Sequence, residues 1–534
     1  MTRGLALSCA LLSASAVAEP RRASLAVLPF SAEKLETDVD LLVEWHTVAA
    51  LAASGRYAVY HPKQVRELLR QEGLDPDAPV ARADAPRLLE GLGVERGVFA
   101  QLTRVGVGYR LEGAVSGATG AARAFSVTLP DGLAPSIAKA AEDVAAAVDA
   151  LWQQHLAPAT VPQVYRENLV HPKSWARCLE RLNRLPTSLD HPGVVTAAEL
   201  DDLVVSCRVA AQQNPAHAPT LSALALALAT AGDDVEAGRL IGQLGSAGEP
   251  LPLWWLARFW LAARYDSGDH GLQVLEHAAR VHPEQLIFPA LRVELLERLG
   301  RPTAALDAAR SYQALLPGSA PALGHLARAL SGVGRHDEAV ERAREAAAAF
   351  RSGRQARLEL ATQLLKVGGG AEALTLLEGL RRDGPASEVA HVRLAEAQLS
   401  LGRADAALRQ AKLALSGAAS PHAWLPRGRA WYELAVAAAH ARAPELARLA
   451  LGASRATGFE PPQLDPWLEP LTLDLDAEAP ERPQTPALEV LSPLDFRVPS
   501  PKPAPESKRL PRWFAPAVPG LERSPFTSGP VLER

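Results

Sequence analysis

The chain has 534 residues, 48% hydrophobic and 22% charged, a globular composition long enough for two or three domains rather than one core. A formal net charge of −4 supplies no positive field for a nucleic-acid backbone or an anionic bilayer, so nucleic acid is not an expected partner. The opening residues, MTRGLALSCALLSASAVAEP, join Arg3 to an apolar run from Leu5 to Leu12 and the small-residue pattern Ala16-Val17-Ala18. That order predicts a secretory signal peptide over 1–18, with a run too short to span a bilayer. Ala6 stands where a lipobox requires leucine, and the run before Cys9 is brief, so lipid anchoring is not expected. No later stretch reaches the roughly 18 consecutive apolar residues of a membrane helix, so no integral span is expected. Arginine far outnumbers lysine, and Ala, Gly and Pro abound, which points to a GC-rich bacterial genome and makes the exported space the periplasm. Two cysteines remain, Cys178 and Cys207, which either form one disulfide between neighbouring helices or sit as two buried thiols.

Residues 19–158 alternate short β-rich runs with helical patterns. ASLAVLPF (23–30) reads as a buried strand, LLVEWHTVAALAASG (41–55) as a helix stopped by glycine, and RYAVYHP (56–62) as a second strand. KQVRELLRQEG (63–73) and DAPRLLEGLG (84–93) read as helices. RGVFAQLTRVG, YRLEGAVSG and ARAFSVTLP read as three successive strands, joined by turns at Gly106-Val107-Gly108 and Gly117-Ala118-Thr119-Gly120. The helix LAPSIAKAAEDVAAAVDALWQQHL (133–156) closes a small α/β domain with a mixed sheet. The opening LAVLPF, then GRYAVYHPKQVRELL, then LGVERGVFAQLTRVGVGYRLEGAVSGATG and the closing helix resemble the TolB amino-terminal domain family and the related CsgG-like domains. The resemblance implies a docking or assembly module whose partner is an envelope protein, and it brings no catalytic residues.

Residues 165–470 are helical in pattern and rich in Ala and Leu. Gly232, Gly268, Gly300, Gly334, Gly368 and Gly402 recur at spacings of 36, 32, 34, 34 and 34. Five residues after these glycines stand Ala237, Ala305, Ala339, Ala373 and Ala407, and seven residues before them Ala225, Ala327, Ala361 and Ala395. Each glycine is expected to end a first helix and take the turn, while the paired alanines let two helices approach closely. After Gly268 the alanine is replaced by Gln273, which predicts distorted packing in that repeat. A period of 34, with the wording GRHDEAVERAREA (334–346), resembles the tetratricopeptide repeat. A further copy, GRAWYELAVAAAHARAPELA (428–447), lacks the glycine and follows an insertion near 416–427, and 171–215 reads as a divergent leader, giving about seven to eight hairpins. The resemblance implies a superhelix whose concave groove holds a protein or extended peptide against Arg258, Tyr265, Glu294, Glu297, Arg328, Gln355, Thr362 and Glu396. Those residues mix both signs, which favours a peptide of mixed polarity.

Residues 471–534 are dense in proline, which predicts polyproline-like or disordered chain, with Lys508, Arg509 and Arg512 around Trp513 and Phe514 as a candidate docking island. The fold class is therefore α+β multidomain: a small α/β domain, an all-α repeat superhelix and a proline-rich tail. No catalytic, cofactor or metal site is expected. The glycines of 105–120 lie between strands with no helix to receive a phosphate, His277 and His282 are five apart, and neither a Walker loop nor a G-x-S-x-G elbow occurs. His336, Asp337 and Glu338 open a second helix, where the dipole favours carboxylates. The sequence reads as a non-enzymatic exported adaptor or scaffold. The alternatives are a self-assembling envelope or secretion component, and a small-ligand sensor or enzyme built on the α/β domain.

Overall fold

The computed structural model describes residues 22–32, 39–72, 74–75, 80, 84–117, 122–131, 133–150, 159–185, 196–265, 268–351, 353–384, 387–418, 427–459, 461 and 464–468. The expected signal peptide, residues 118–120 of the second hairpin turn and the proline-dense tail lie outside the described residues.

The amino-terminal unit contains strands β1 (Ala23–Val27), β2 (Ser31–Ala32), β3 (Tyr57–Val59), β4 (Arg96–Val105), β5 (Gly108–Gly117) and β6 (Ala122–Leu129), with helices α1 (Val39–Ala53), α2 (Pro62–Gln71), α3 (Ala85–Leu92) and α4 (Ala134–Ala150). The sheet runs β3-β1-β4-β5-β6, and β2 pairs with β4 off that path. β1 lies parallel to β3 and β4, whereas β4, β5 and β6 form an antiparallel meander, so the sheet is mixed. The two-residue period of β1 divides its side chains between two cores. Leu25 and Val27 join the one that holds α1 and α4, and Ala26 and Leu28 join the one that holds α2 and α3.

Helices follow to the end of the described chain. After α5 (Gln163–Arg166), α6 (Pro172–Asn183) and α7 (Ala197–Gln213) come seven hairpins: α8 (Ala218–Ala231) with α9 (Asp234–Leu244), α10 (Pro252–Tyr265) with α11 (Asp269–Val281), α12 (Ile287–Arg298) with α13 (Pro302–Leu315), α14 (Ala320–Gly332) with α15 (His336–Ala349), α16 (Arg354–Lys366) with α17 (Gly370–Arg382), α18 (Glu388–Ser400) with α19 (Ala404–Gly417), and α20 (Arg427–His440) with α21 (Pro444–Ala456). The six repeat glycines sit in the turns with φ between 64° and 94°, a region that strains other residues. In the last hairpin Arg442 takes that conformation instead, with φ 56°, at a cost of about 1–2 kcal/mol.

Gln273 does not distort its repeat. It is exposed, and the small-residue slot is filled by buried Gly271, where a Cβ would lie 3.2 Å from the Ala263 Cβ. Ala237, Gly271, Ala305, Ala339, Ala373 and Ala407 therefore follow one another at 34 residues without exception. The turn glycine at 268 is two residues late, and the next spacing is two residues short, so the helix register survives. Cys178 on α6 and Cys207 on α7 are fully buried and joined by a disulfide.

The solenoid closes around the amino-terminal unit on both sides. On one side α1 meets α6, where the Trp175 ring lies edge-on to His46 at 5.5 Å and to His217 at 4.7 Å. Burial pushes these histidines down to about 4 and about 3, so both are neutral. On the other side the exposed edge of β3 is completed by the link between α11 and α12: Val59 N donates to Glu284 O at 2.7 Å, and Leu286 N donates to Val59 O at 3.2 Å. α2 then enters the concave face. Lys63 Nζ donates to Leu182 O at 2.6 Å and Leu185 O at 3.0 Å, satisfying carbonyls at the end of α6. Arg66 grips Glu44 of α1 in a buried pair, with Nη2 2.8 Å from Oε2. Glu72, just past α2, accepts from Arg354 N at 2.7 Å and Gln355 N at 3.3 Å, capping the start of α16.

Gly93 ends α3 with φ 64°, and a Cβ there would collide with the backbone of Gly318 and Ser319. Gly55 has a similar φ of 69° with open space around it. Gly93→Ala should therefore cost about 2–4 kcal/mol, strain plus overpacking, and Gly55→Ala about 1–2 kcal/mol, strain alone, in denaturant unfolding of the full chain. Equal losses would mean that the backbone of α3 does not press on the solenoid.

Candidate functional site

The inner surface of the solenoid is built by the first helices α12, α14, α16, α18 and α20, whose neighbours touch one another directly from α12 through α20. A line of alternating charge crosses them. Arg328 on α14 lies 3.5 Å from Glu297 on α12 and 3.6 Å from Glu359 on α16. Lys366 on α16 donates to Ser331 Oγ on α14 at 2.8 Å, and burial lowers its pKa. Arg393 holds Glu396 one turn along α18 at 2.6 Å, and Glu433 on α20 lies 3.7 Å from Arg429. Burial first, and then the charge of Glu396, push Glu433 up to about 7 against the pull of Arg429 and Arg393.

The eight groove residues expected from sequence do not all come together. Glu294, Glu297 and Arg328 meet, joined by His325, whose Nδ1 lies 2.8 Å from Arg328. Gln355 lies beside them and gives its backbone N–H to Glu72. Thr362 bonds back to Leu358 O on its own helix at 2.9 Å, and Glu396 continues the line through Arg393. Arg258 is elsewhere: its guanidinium stacks over Trp254 at 4.7 Å and Trp255 at 5.1 Å, beside a cleft between α9 and α11. At 34 residues the position equivalent to Glu294 and Arg328 is Trp260, two residues after Arg258, so Arg258 does not share their place on the first helix. The side chain of Tyr265 lies outside the described residues.

Glu359 and Arg393 escaped the sequence reading, although they stand three residues before Thr362 and Glu396 on the same helix face and 34 residues apart. The amino-terminal unit was also unforeseen as an occupant. Gln64, Glu67, Leu68 and Gln71 of α2 line a cleft with Glu294, Ile287 and His325. The groove is thus filled by the chain itself along α12 and α14, up to the start of α16. The charged stretch begins at Glu359, which borders the end of α2, and runs beyond that contact through Arg393 and Glu396 to Glu433. It offers both signs of charge in a partly desolvated setting, suited to an extended polypeptide with alternating polar groups.

No family model matches the chain, and no curated protein matches it. Among solved structures it is similar to a tetratricopeptide repeat protein from Parabacteroides merdae, at 14% identity, over 54% of this chain and 94% of that one, with a TM-score of 0.34. It is also similar to the APC/C hetero-tetramer Cut9–Hcn1, at 15% identity, over 59% of this chain and 69% of that one, with a TM-score of 0.29. The repeat architecture rests on the 34-residue register and the hairpin geometry, to which likenesses of this size add nothing. No described helix is long and apolar enough to cross a membrane.

Glu433 gives a pH-dependent test of the groove's charge balance. Its folded pKa is raised from the ordinary 4.5 to about 7, so the fold binds this proton more tightly than the unfolded chain does. Stability is therefore lost as pH rises from about 4.5 through about 7, and the loss is complete above that window. Glu433→Gln should gain on the order of 1 kcal/mol over wild type at pH 8 and nothing at pH 4, read by urea unfolding. The same difference at both values would contradict the assignment.

Proposed function

We propose that the chain is an exported, periplasmic adaptor that holds a protein or extended peptide of mixed polarity in the uncovered part of its groove. The observation that carries this reading is the line of alternating, partly buried charge on successive first helices, which starts at Glu359 beside the end of α2 and continues through Arg393 and Glu396 to Glu433 past the stretch that the amino-terminal unit fills. Stacked repeats spread binding along such a surface without a covalent step. Export is supported by the signal-like pattern of 1–18 and by the buried disulfide, which suits an oxidising space. The order of strands and helices supports a TolB-like or CsgG-like reading of the amino-terminal unit, which docks an envelope protein. One side of that unit remains available: among the described residues β6 pairs only with β5 and leaves a free sheet edge. That edge also favours a second reading, self-assembly into an envelope or secretion structure.

Chemical crosslinking in cells, followed by capture of the wild-type chain and of Glu396→Arg, tests the proposal. Heterotypic products should fall by about tenfold for the variant, the cost of one reversed charge contact near 1.4 kcal/mol, at a temperature where circular dichroism shows both chains folded. Equal yields would remove the groove from the account, and mainly homotypic products in both samples would favour self-assembly.

A further inference from the structure

Arg258, which the charged line of the groove does not use, sits in a prepared setting of its own. Its guanidinium stacks over two buried indoles, Trp254 at 4.7 Å and Trp255 at 5.1 Å. Both rings are anchored, because Trp254 Nε1 donates to Ile241 O at 3.2 Å and Trp255 Nε1 donates to Glu249 O at 2.9 Å. Stacking on anchored rings fixes the plane of the guanidinium and leaves its N–H edges to find acceptors. Among the described residues no hydrogen bond or ion pair reaches them. Burial lowers the pKa of Arg258, and the charge of Glu249 pulls it back from beyond ion-pair distance.

This half-buried residue lines a cleft of about 390 Å³, formed by α10 with the second helices α9 and α11. Ile241, Leu261, Ala262 and Val274 give the cleft an apolar surface, and Asp234 and His270 complete the lining. Small-ligand clefts measure about 300–1,000 Å³ and are mostly apolar with a few placed polar groups, a description that fits this one. A guanidinium edge beside apolar walls takes an anion with an apolar body, and a carboxylate meets that edge with two parallel hydrogen bonds. Asp234 in the lining and Glu249 nearby oppose a second negative charge, which favours a monoanion over a phosphate.

We infer that this cleft binds a small monocarboxylate with a short apolar body, the carboxylate on the Arg258 guanidinium and the apolar part against Leu261, Ala262 and Val274. The site is separate from the inner groove and does not depend on what that groove holds. Gly238 gives a way to close it: on α9 this glycine lies one turn from both Asp234 and Ile241, and a Cβ there would stand 3.7 Å from Leu261, an ordinary contact. A leucine at that position would fill the cleft, and its helix propensity exceeds that of glycine.

The probe is hexanoate, titrated calorimetrically into the full chain, with hexanamide and acetate as comparisons. Hexanoate should saturate one site on wild type, and the other two should bind at least about tenfold more weakly, because each lacks one half of the match. Arg258→Gln should weaken hexanoate about tenfold, and Gly238→Leu should abolish its binding, with circular dichroism showing the chains folded. Either variant alone locates the site if the other fails to fold. Glu396→Arg, in the inner groove, should leave the titration unchanged. Absence of saturable binding to wild type, equal affinity for hexanoate and hexanamide, or indifference to both Arg258→Gln and Gly238→Leu would each overturn the assignment. So would a loss of binding caused by Glu396→Arg, which would place the acid in the inner groove.

Discussion

The hydrogen bonds between Val59 and residues 284–286 fix where everything else in the molecule can go. They join an edge strand of a mixed sheet, β3, to a link between repeat helices, so the sheet and the solenoid share one hydrogen-bonded edge rather than a linker. α2 and α3 are then held against the concave face, and the apolar side chains of the two parts merge. Ala26, Leu28, Val65, Leu68 and Leu92 lie in one core with Leu286, Val293, Leu296 and Leu326. Such a contact leaves no room for Cβ atoms at its tightest points: Gly93 meets the backbone at Ser319, and Gly91 meets the Phe350 ring. The polar groups that this seating buries are matched in kind, Lys63 by two carbonyls, Arg66 by Glu44, and Glu72 by the amides of α16.

This arrangement divides a surface that a repeat array would otherwise leave open along its whole length. Where α2 lies, the inner residues Glu294 and His325 face a segment of the same chain, Glu359 borders the end of that segment, and further along Arg393, Glu396 and Glu433 are partly buried on the next first helices. The partial burial of the second group matters more than its net charge. Charges held at the floor of a groove interact more strongly than charges on a convex face, and they reject a ligand that leaves them unpaired. Selectivity for an extended chain with properly spaced polar groups follows from that requirement.

Local signals in the sequence carried the repeats and most of the sheet. The turn glycines, the buried alanines and the strand-helix order of the first 150 residues each leave a periodic or punctuated mark within one element. Gln273 shows how such a mark misleads: the turn glycine at 268, two residues late, slid the count by two, while the helix kept its register through Gly271. Arg258 stands two residues before Trp260, the true equivalent of Glu294, and it stacks on two tryptophans of its own helix. Gly93 was legible as a helix stop, but its second role as a point of close backbone approach depends on Ser319, more than 200 residues away. The same holds for Glu72, which reads as the tail of an amphipathic helix and acts as a cap on a distant one. Contacts of this kind have no period and no spacing, so no local pattern announces them.

The central claim is that the amino-terminal unit and the repeats from α12 to α16 form one cooperative body. Native-state hydrogen exchange on the full chain tests it most directly, by comparing the opening free energy of the amides in α2 with that of the amides in α12 and α14. The account predicts a common value, because α2 can be exposed only by unfolding the surface that holds it. Exchange through α2 at a clearly lower free energy, with α12 and α14 still protected, would show the unit leaving its seat independently and would contradict the account.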